Sequence, residues 1–272
     1  MDQADPDRER PLEQGAGIGA GRGLADLTRR ESKRYQPFDR VLTLDDERLL
    51  CTSWSQALGI PVEGNHIRYL QHRIGVIEDL CLGRLAGSVQ DAILRILVAL
   101  SIRGDSLRFL EIGTLFGINA LVMYDLAACF FERVNLTMID PLDGYYGSGK
   151  ADIVTGLPVT RSVLQRNLDR VMIPCEDYTI IEGYSASSAA VRSAARTTYN
   201  LVFVDGDHTY EAVKADFEHY SPMLERSGYL IFDDYGTEAW PGVQRFVDEV
   251  VPQSPDYEPI GASWRSIVFR KR

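Results

Sequence analysis

The chain has 272 residues, 45% of them hydrophobic and 25% charged, with a formal net charge of −10. That composition is typical of a soluble globular protein, and its acidity argues against nucleic acid or an anionic membrane as the main partner, because phosphate binding needs a basic face. Cys51, Cys81, Cys129 and Cys175 include no C-x-x-C pair, and the four histidines are scattered. They read as reduced, mostly buried thiols rather than a disulfide frame or a zinc site. No apolar run reaches the roughly 18 residues that span a bilayer, and "MDQADPDRER" lacks the layout of a signal peptide, so the expected location is the cytoplasm.

Residues 1–34 are polar, Gly-rich and balanced in charge, and read as a disordered tail. Their "GAGIGAGRG" follows no apolar strand and lacks phosphate-loop spacing. Residues 35–103 are helical in pattern: "DDERLLCTSWSQAL", "NHIRYLQHRIGVIEDLCLGRL" and "SVQDAILRILVALSI" repeat apolar residues at three- and four-residue steps, with Ser88 as an N-cap. A layer packed on a sheet is one use of such a segment, and a lid or oligomer surface is another. After Gly104 short apolar runs alternate with helical stretches: "LRFLEIG", "VNLTMID", "YTIIEG", "NLVFVDGD", "GYLIFDD" and finally "WRSIVFRKR". This is the rhythm of an α/β, doubly wound, mostly parallel sheet spanning residues 104–272.

Ligands of such sheets bind beyond the carboxyl ends of the strands. Here those ends read Glu111, Asp140, Glu182, Asp205 and Asp233. "EIGTLFG" sets Glu111 before a turn with Gly113 and Gly117, an E-x-G-x-x-x-G spacing. An acid there would repel a pyrophosphate but suits a cationic, hydroxyl-bearing nucleoside, with Asp140 placed to accept from ribose hydroxyls. The link 140–171 is long and rich in Gly and Tyr, which suggests a mobile loop over the site leading into a helix from about Thr160. Tyr145, Tyr146 and Trp240 are candidates to line an acceptor pocket.

The set "EIGT", "FVDGDHTYEAVKAD" and "GYLIFDDY", in this order, resembles the class I S-adenosylmethionine-dependent methyltransferases, and within them the small metal-dependent O-methyltransferases of natural-product sugars. The resemblance covers roughly 105–272. It implies a seven-stranded sheet with one antiparallel strand near the C-terminus, "YEPIGASWRSIVFRKR" closing it as a hairpin. It implies cofactor contacts at Glu111, Gly113, Thr114, Gly117, Asp140, Asp205 and the "EGYSASS" turn, where Gly183, Tyr184 and Ser185 border the adenine. In the implied strand order Asp205, Asp233 and Asp234 converge at one rim, where their repulsion would be relieved by a divalent cation: Mg²⁺ by its oxygen ligands, or Mn²⁺ or Ca²⁺. Asp207 and His208 are rival general bases, and Asp207 could equally be a helix cap. The expected reaction methylates a hydroxyl of a small molecule, a sugar or other natural-product intermediate, in a dimer or larger homo-oligomer. A metal-independent N-methyltransferase, a hydroxylation and methoxylation partner, and an inactive scaffold are the alternatives on the same fold.

Overall fold

The structure, a computed structural model, describes residues 40–144 and 149–272. The tail 1–34, Tyr145 and Tyr146 lie outside them. Helix α1 runs Leu44–Leu49, passes through a π-helical turn Leu50–Trp54 and continues as Ser55–Leu58, where Gly59 ends it in the left-handed region. Helix α2 is Gly64–Leu80 and α3 is Val89–Leu100. Ser88 caps α3, its hydroxyl accepting the Asp91 N–H at 3.1 Å.

The strands are β1 Ser106–Ile112, β2 Arg133–Asp140, β3 Tyr178–Glu182, β4 Tyr199–Val204, β5 Leu224–Phe232, β6 Tyr257–Ser263 and β7 Ser266–Lys271. Between them lie α4 Ile118–Ala127, α5 Arg161–Val171, α6 Ser188–Ala194, α7 Tyr210–Tyr220 and α8 Pro241–Val250. They form one seven-stranded sheet in the order β3-β2-β1-β4-β5-β7-β6. Pairing is parallel from β3 through β5 and antiparallel at β5–β7 and β7–β6, as the hairpin expectation requires. The order reverses between β1 and β4, so the crevice for a ligand opens beyond those two carboxyl ends.

Strand alternation feeds two cores. Leu107, Phe109, Leu201, Phe203 and Ile231 pack with α1 through α5 on one face. Leu110, Ile112, Val202, Val204, Leu230 and Phe232 pack with α6, α7 and α8 on the other. Every residue of α3 from Val89 to Ala99 is buried, so the N-terminal helices share one continuous core with the sheet. The same helices clamp the tip of the β6–β7 hairpin. Trp54 Nε1 donates to Ser263 Oγ (3.0 Å), Trp264 Nε1 donates to Asp46 (2.8 Å), and Asp91 accepts from Arg265 N and Ser266 Oγ (3.1 and 3.0 Å). Cys51, Cys81, Cys129 and Cys175 are all free, but Cys129 and Cys175 are exposed, against the expectation of mostly buried thiols; they fall in connections, outside the apolar stripes. Among the described residues no helix is long and apolar enough to cross a membrane.

Candidate active site

The carboxyl ends are held level by hydrogen bonds that continue the sheet past its strands. Gly113 N donates to Ile139 O, Gly183 N to Asp140 O, Asp205 N to Ile112 O and Asp233 N to Val204 O, at 2.9–3.0 Å. The turn after β1 must be glycine for a reason the sequence hid. Gly113 has φ +82°, and a Cβ there would lie 2.0 Å from the carbonyl oxygen of Asp205. The backbone it has to admit belongs to the neighbouring strand end, so the turn brings the first and fourth strands' loops together before any ligand arrives.

Around this turn lies a cavity of about 610 Å³. Glu111, Gly113, Thr114, Asp140, Gly183, Tyr184 and Ser185 line one end; Asp205, Asp207, His208, Asp234 and Trp240 line the other. Gly117 does not line it: at φ +77° it starts α4, packed against the Leu164 side chain, where a Cβ would lie 2.2 Å from Leu164 Cδ1. Glu182 also stays outside, exposed beside Arg161 at 3.7 Å.

Glu111 is buried and accepts from Thr114 Oγ1 and from Asn119 Nδ2 at 2.6 Å. Burial pushes its pKa up to about 8 against those two donors. Asp140 accepts three backbone N–H groups, from Thr114, Leu115 and Leu142, each at 2.8 Å. Its first task is therefore to shape the glycine turn; burial still raises its pKa over the opposing effect of those amides. Tyr184 is exposed and reaches across the cavity mouth to Asp143, O···O 3.2 Å.

At the other end the expected trio of aspartates is rearranged. His208 Nε2 lies 3.3 Å from Asp205 Oδ1 and 3.0 Å from Asp234 Oδ2, and these three side chains bring ligand atoms within 4.8 Å of one another. Asp233 is not in that set. It turns to the helical layer, with Oδ2 2.8 Å from Arg95 Nη2 and Oδ1 accepting from Ser266 Oγ at 3.2 Å. The cause is local. Neighbouring residues at a strand end face opposite ways, and Asp234 sits at φ +57°, which turns its side chain toward the cavity. Asp234 also receives the Arg265 guanidinium. Asp205, with the Asp233 carboxylate nearby, is buried enough that its pKa is pushed up to about 6.

His208 is buried, stacked on Trp240 with ring centroids 4.8 Å apart, and commits Nε2 between two carboxylates. That position suits a ligand or charge-balancing group better than a base facing an acceptor. Asp207 is exposed at the rim, and its Oδ1 accepts the Thr209 N–H at 2.8 Å. The helix cap itself is Thr209.

Arg95, Arg265, Asn119 and Asp91 escaped the sequence reading. Arg95 had a signal, an arginine within the otherwise apolar run 92–100. Its guanidinium stacks over Phe203 (4.1 Å) and donates to Asn119 Oδ1 at 3.1 Å, so it links Asp233 to the residue that holds Glu111. Arg265 gave none, because only the hairpin geometry brings it to Asp234.

Residues 110–235 match the family model described as a methyltransferase domain. Uncharacterized protein R132 of Acanthamoeba polyphaga mimivirus is 29% identical over 160 residues, which is 57% of this chain and 65% of that relative's length. Among solved structures, the calicheamicin methyltransferase CalS11 superposes with a TM-score of 0.53 at 17% identity, covering 94% of this chain and 99% of its own. An O-methyltransferase from Bacillus cereus, solved in complex with SAH, gives 0.50 at 14% identity, covering 85% and 98%. These two likenesses speak for the fold. Residues 110–235 thus carry a methyltransferase domain, and in strand order and ordered motifs the chain is similar to the class I S-adenosylmethionine-dependent methyltransferases.

Proposed function

We propose that this protein is an O-methyltransferase that transfers the methyl of S-adenosylmethionine to a hydroxyl of a small molecule, a sugar or other natural-product intermediate. The observation that carries the reading is one cavity with two chemically distinct ends: a glycine turn with Asp140, Tyr184 and Ser185, and an acidic rim with Asp207, His208 and Trp240. The cofactor lies along the first end, its ribose hydroxyls toward Asp140 and its adenine beside Tyr184 and Ser185. The acceptor lies against Trp240, whose ring face suits a sugar or a planar ring. As the acceptor oxygen bonds to the methyl carbon, the carbon–sulfur bond of the sulfonium breaks, and the hydroxyl proton passes to Asp207. Asp207 is the base in this reading because His208 Nε2 is already engaged by Asp205 and Asp234.

Asp205, His208 and Asp234 are the residues that would hold a divalent cation. Three converging ligand atoms support the fit, and the imidazole shifts preference from Mg²⁺ toward Mn²⁺. Such an ion would act as a Lewis acid that lowers the acceptor hydroxyl's pKa. One observation favours a metal-free version of the same transfer: Arg95 and Arg265 already bring positive charge to Asp233 and Asp234. In either version the chain assembles as a homo-oligomer through the outer face of α2, where Tyr69 and Leu80 are exposed, a reading that the mass in solution checks.

The test is methyl transfer from labelled S-adenosylmethionine to a panel of hydroxyl compounds. Label should appear on oxygen, and Asp207→Asn should lower kcat by about a hundredfold while leaving cofactor affinity within about threefold. Label on nitrogen, or an unimpaired Asp207→Asn enzyme, would contradict the assignment.

A further inference from the structure

Helix α7 carries a buried carboxyl that the proposed chemistry does not use. Asp216 is 1% exposed, and neither oxygen has a hydrogen-bond partner in the protein. An apolar side chain would fill that position without burying a polar group, so the carboxyl calls for a role. Its surroundings suggest one. A Cβ on Gly206, in the turn between Asp205 and Asp207, would lie 3.3 Å from Asp216 Oδ2, which puts the carboxyl directly behind that turn. Its polar neighbour is the Ser185 side chain, and Ser185 lines the cavity at its cofactor end. One helical turn later Tyr220, fully buried, donates its hydroxyl to the Ser185 carbonyl at 2.7 Å. Residues four apart share a helix face, so Asp216 and Tyr220 both face Ser185 from one rigid support, and Tyr220 bonds it.

We propose that Asp216 is a positioning residue for the adenosine end of the cofactor: through Ser185 it fixes the 183–185 turn, and against Gly206 it fixes that turn's distance from Asp205. It sets cofactor affinity without touching the cofactor. Burial pushes its pKa up to about 7 against the nearby Ser185 side chain, which favours the charged form, so acid and carboxylate are both populated near neutrality. A neutral amide keeps a polar group of the same shape facing Ser185, whereas alanine does not.

The inference rests on the S-adenosylmethionine reading of the cavity. Its test is calorimetric titration of the full chain with S-adenosylhomocysteine, together with steady-state kinetics in S-adenosylmethionine. Asp216→Ala should raise Kd and KM about tenfold, with kcat at saturating cofactor within about threefold, and Asp216→Asn should stay within about threefold of wild type throughout. Tyr220→Phe removes the hydrogen bond that the same helix makes to Ser185 and should also raise Kd; it supplies the reading if Asp216→Ala does not fold. Wild-type Kd in Asp216→Ala or, where that variant does not fold, in Tyr220→Phe, overturns the inference alone, as does a loss confined to kcat. No binding by the wild-type chain overturns the cofactor reading and this inference with it.

Discussion

Arg95 and Asp216 show how two buried charges in one molecule come to opposite ends. Arg95 faces Asp233, Asp91 and Asp205, all of which raise its pKa over the opposing effect of its burial. Arg95→Met would leave Asp233 and Asp91 buried without their cation, and breaking a buried pair in this way costs about 3–5 kcal/mol. Urea unfolding of that variant should show a loss of this order, whereas a loss below about 1 kcal/mol would mean that the aspartates find other partners. Asp216 has no cation opposite it. The groups that face it are the Asp207 carboxylate, Ser185 and Tyr220. Its folded pKa lies above the ordinary value of 3.8, so its contribution to stability is complete below that value and is lost as pH rises through about 7. Asp216→Asn should therefore unfold at a higher temperature than wild type at pH 8, with the gain shrinking toward pH 5. An equal shift at both pH values would contradict the assignment. At this scale the sequence revealed residue types but not their directions. The strand-end acids were legible from the apolar runs before them, yet Asp233 and Asp234 divide between two networks by one backbone angle that no pattern encodes.

The elements were the most legible level, because period-2 and period-3.6 patterns follow from backbone geometry alone. The six runs read as strands, the Ser88 cap and the closing hairpin all appear in the fold. The function of the glycine turn was less legible, since the strand order brings Asp205 O against Gly113. Gly113→Ala would combine a left-handed backbone with a collision against a neighbouring carbonyl, and should cost on the order of 3 kcal/mol or more and weaken cofactor binding as the Asp205 turn shifts. Thermal unfolding and calorimetry check both effects. A stable variant with normal affinity would show that the turn has slack the structure lacks.

For the whole molecule, the helices preceding the sheet do more than cover it. They supply Arg95 to Asp233, use Asp46, Trp54 and Asp91 to hold the hairpin, and so set where Arg265 meets Asp234. That wall could not be read from the helical pattern, which shows an apolar stripe but not the layer it meets. It also bears on the cation. The site's negative charge is balanced in part by the chain, so exhaustive chelation should leave fold and cofactor affinity intact. If Asp205, His208 and Asp234 hold an ion, chelation should abolish turnover, and Mn²⁺ should restore it better than Mg²⁺. Undiminished turnover in chelator would assign the charge balance to Arg95 and Arg265. The proposed chemistry depends on the cavity between β1 and β4 being the seat of the methyl donor. Isothermal titration of the wild-type chain with S-adenosylhomocysteine measures this most directly. One saturable site per chain, lost in Gly113→Ala, is the predicted result, and no heat from the wild-type chain would contradict the account at its root.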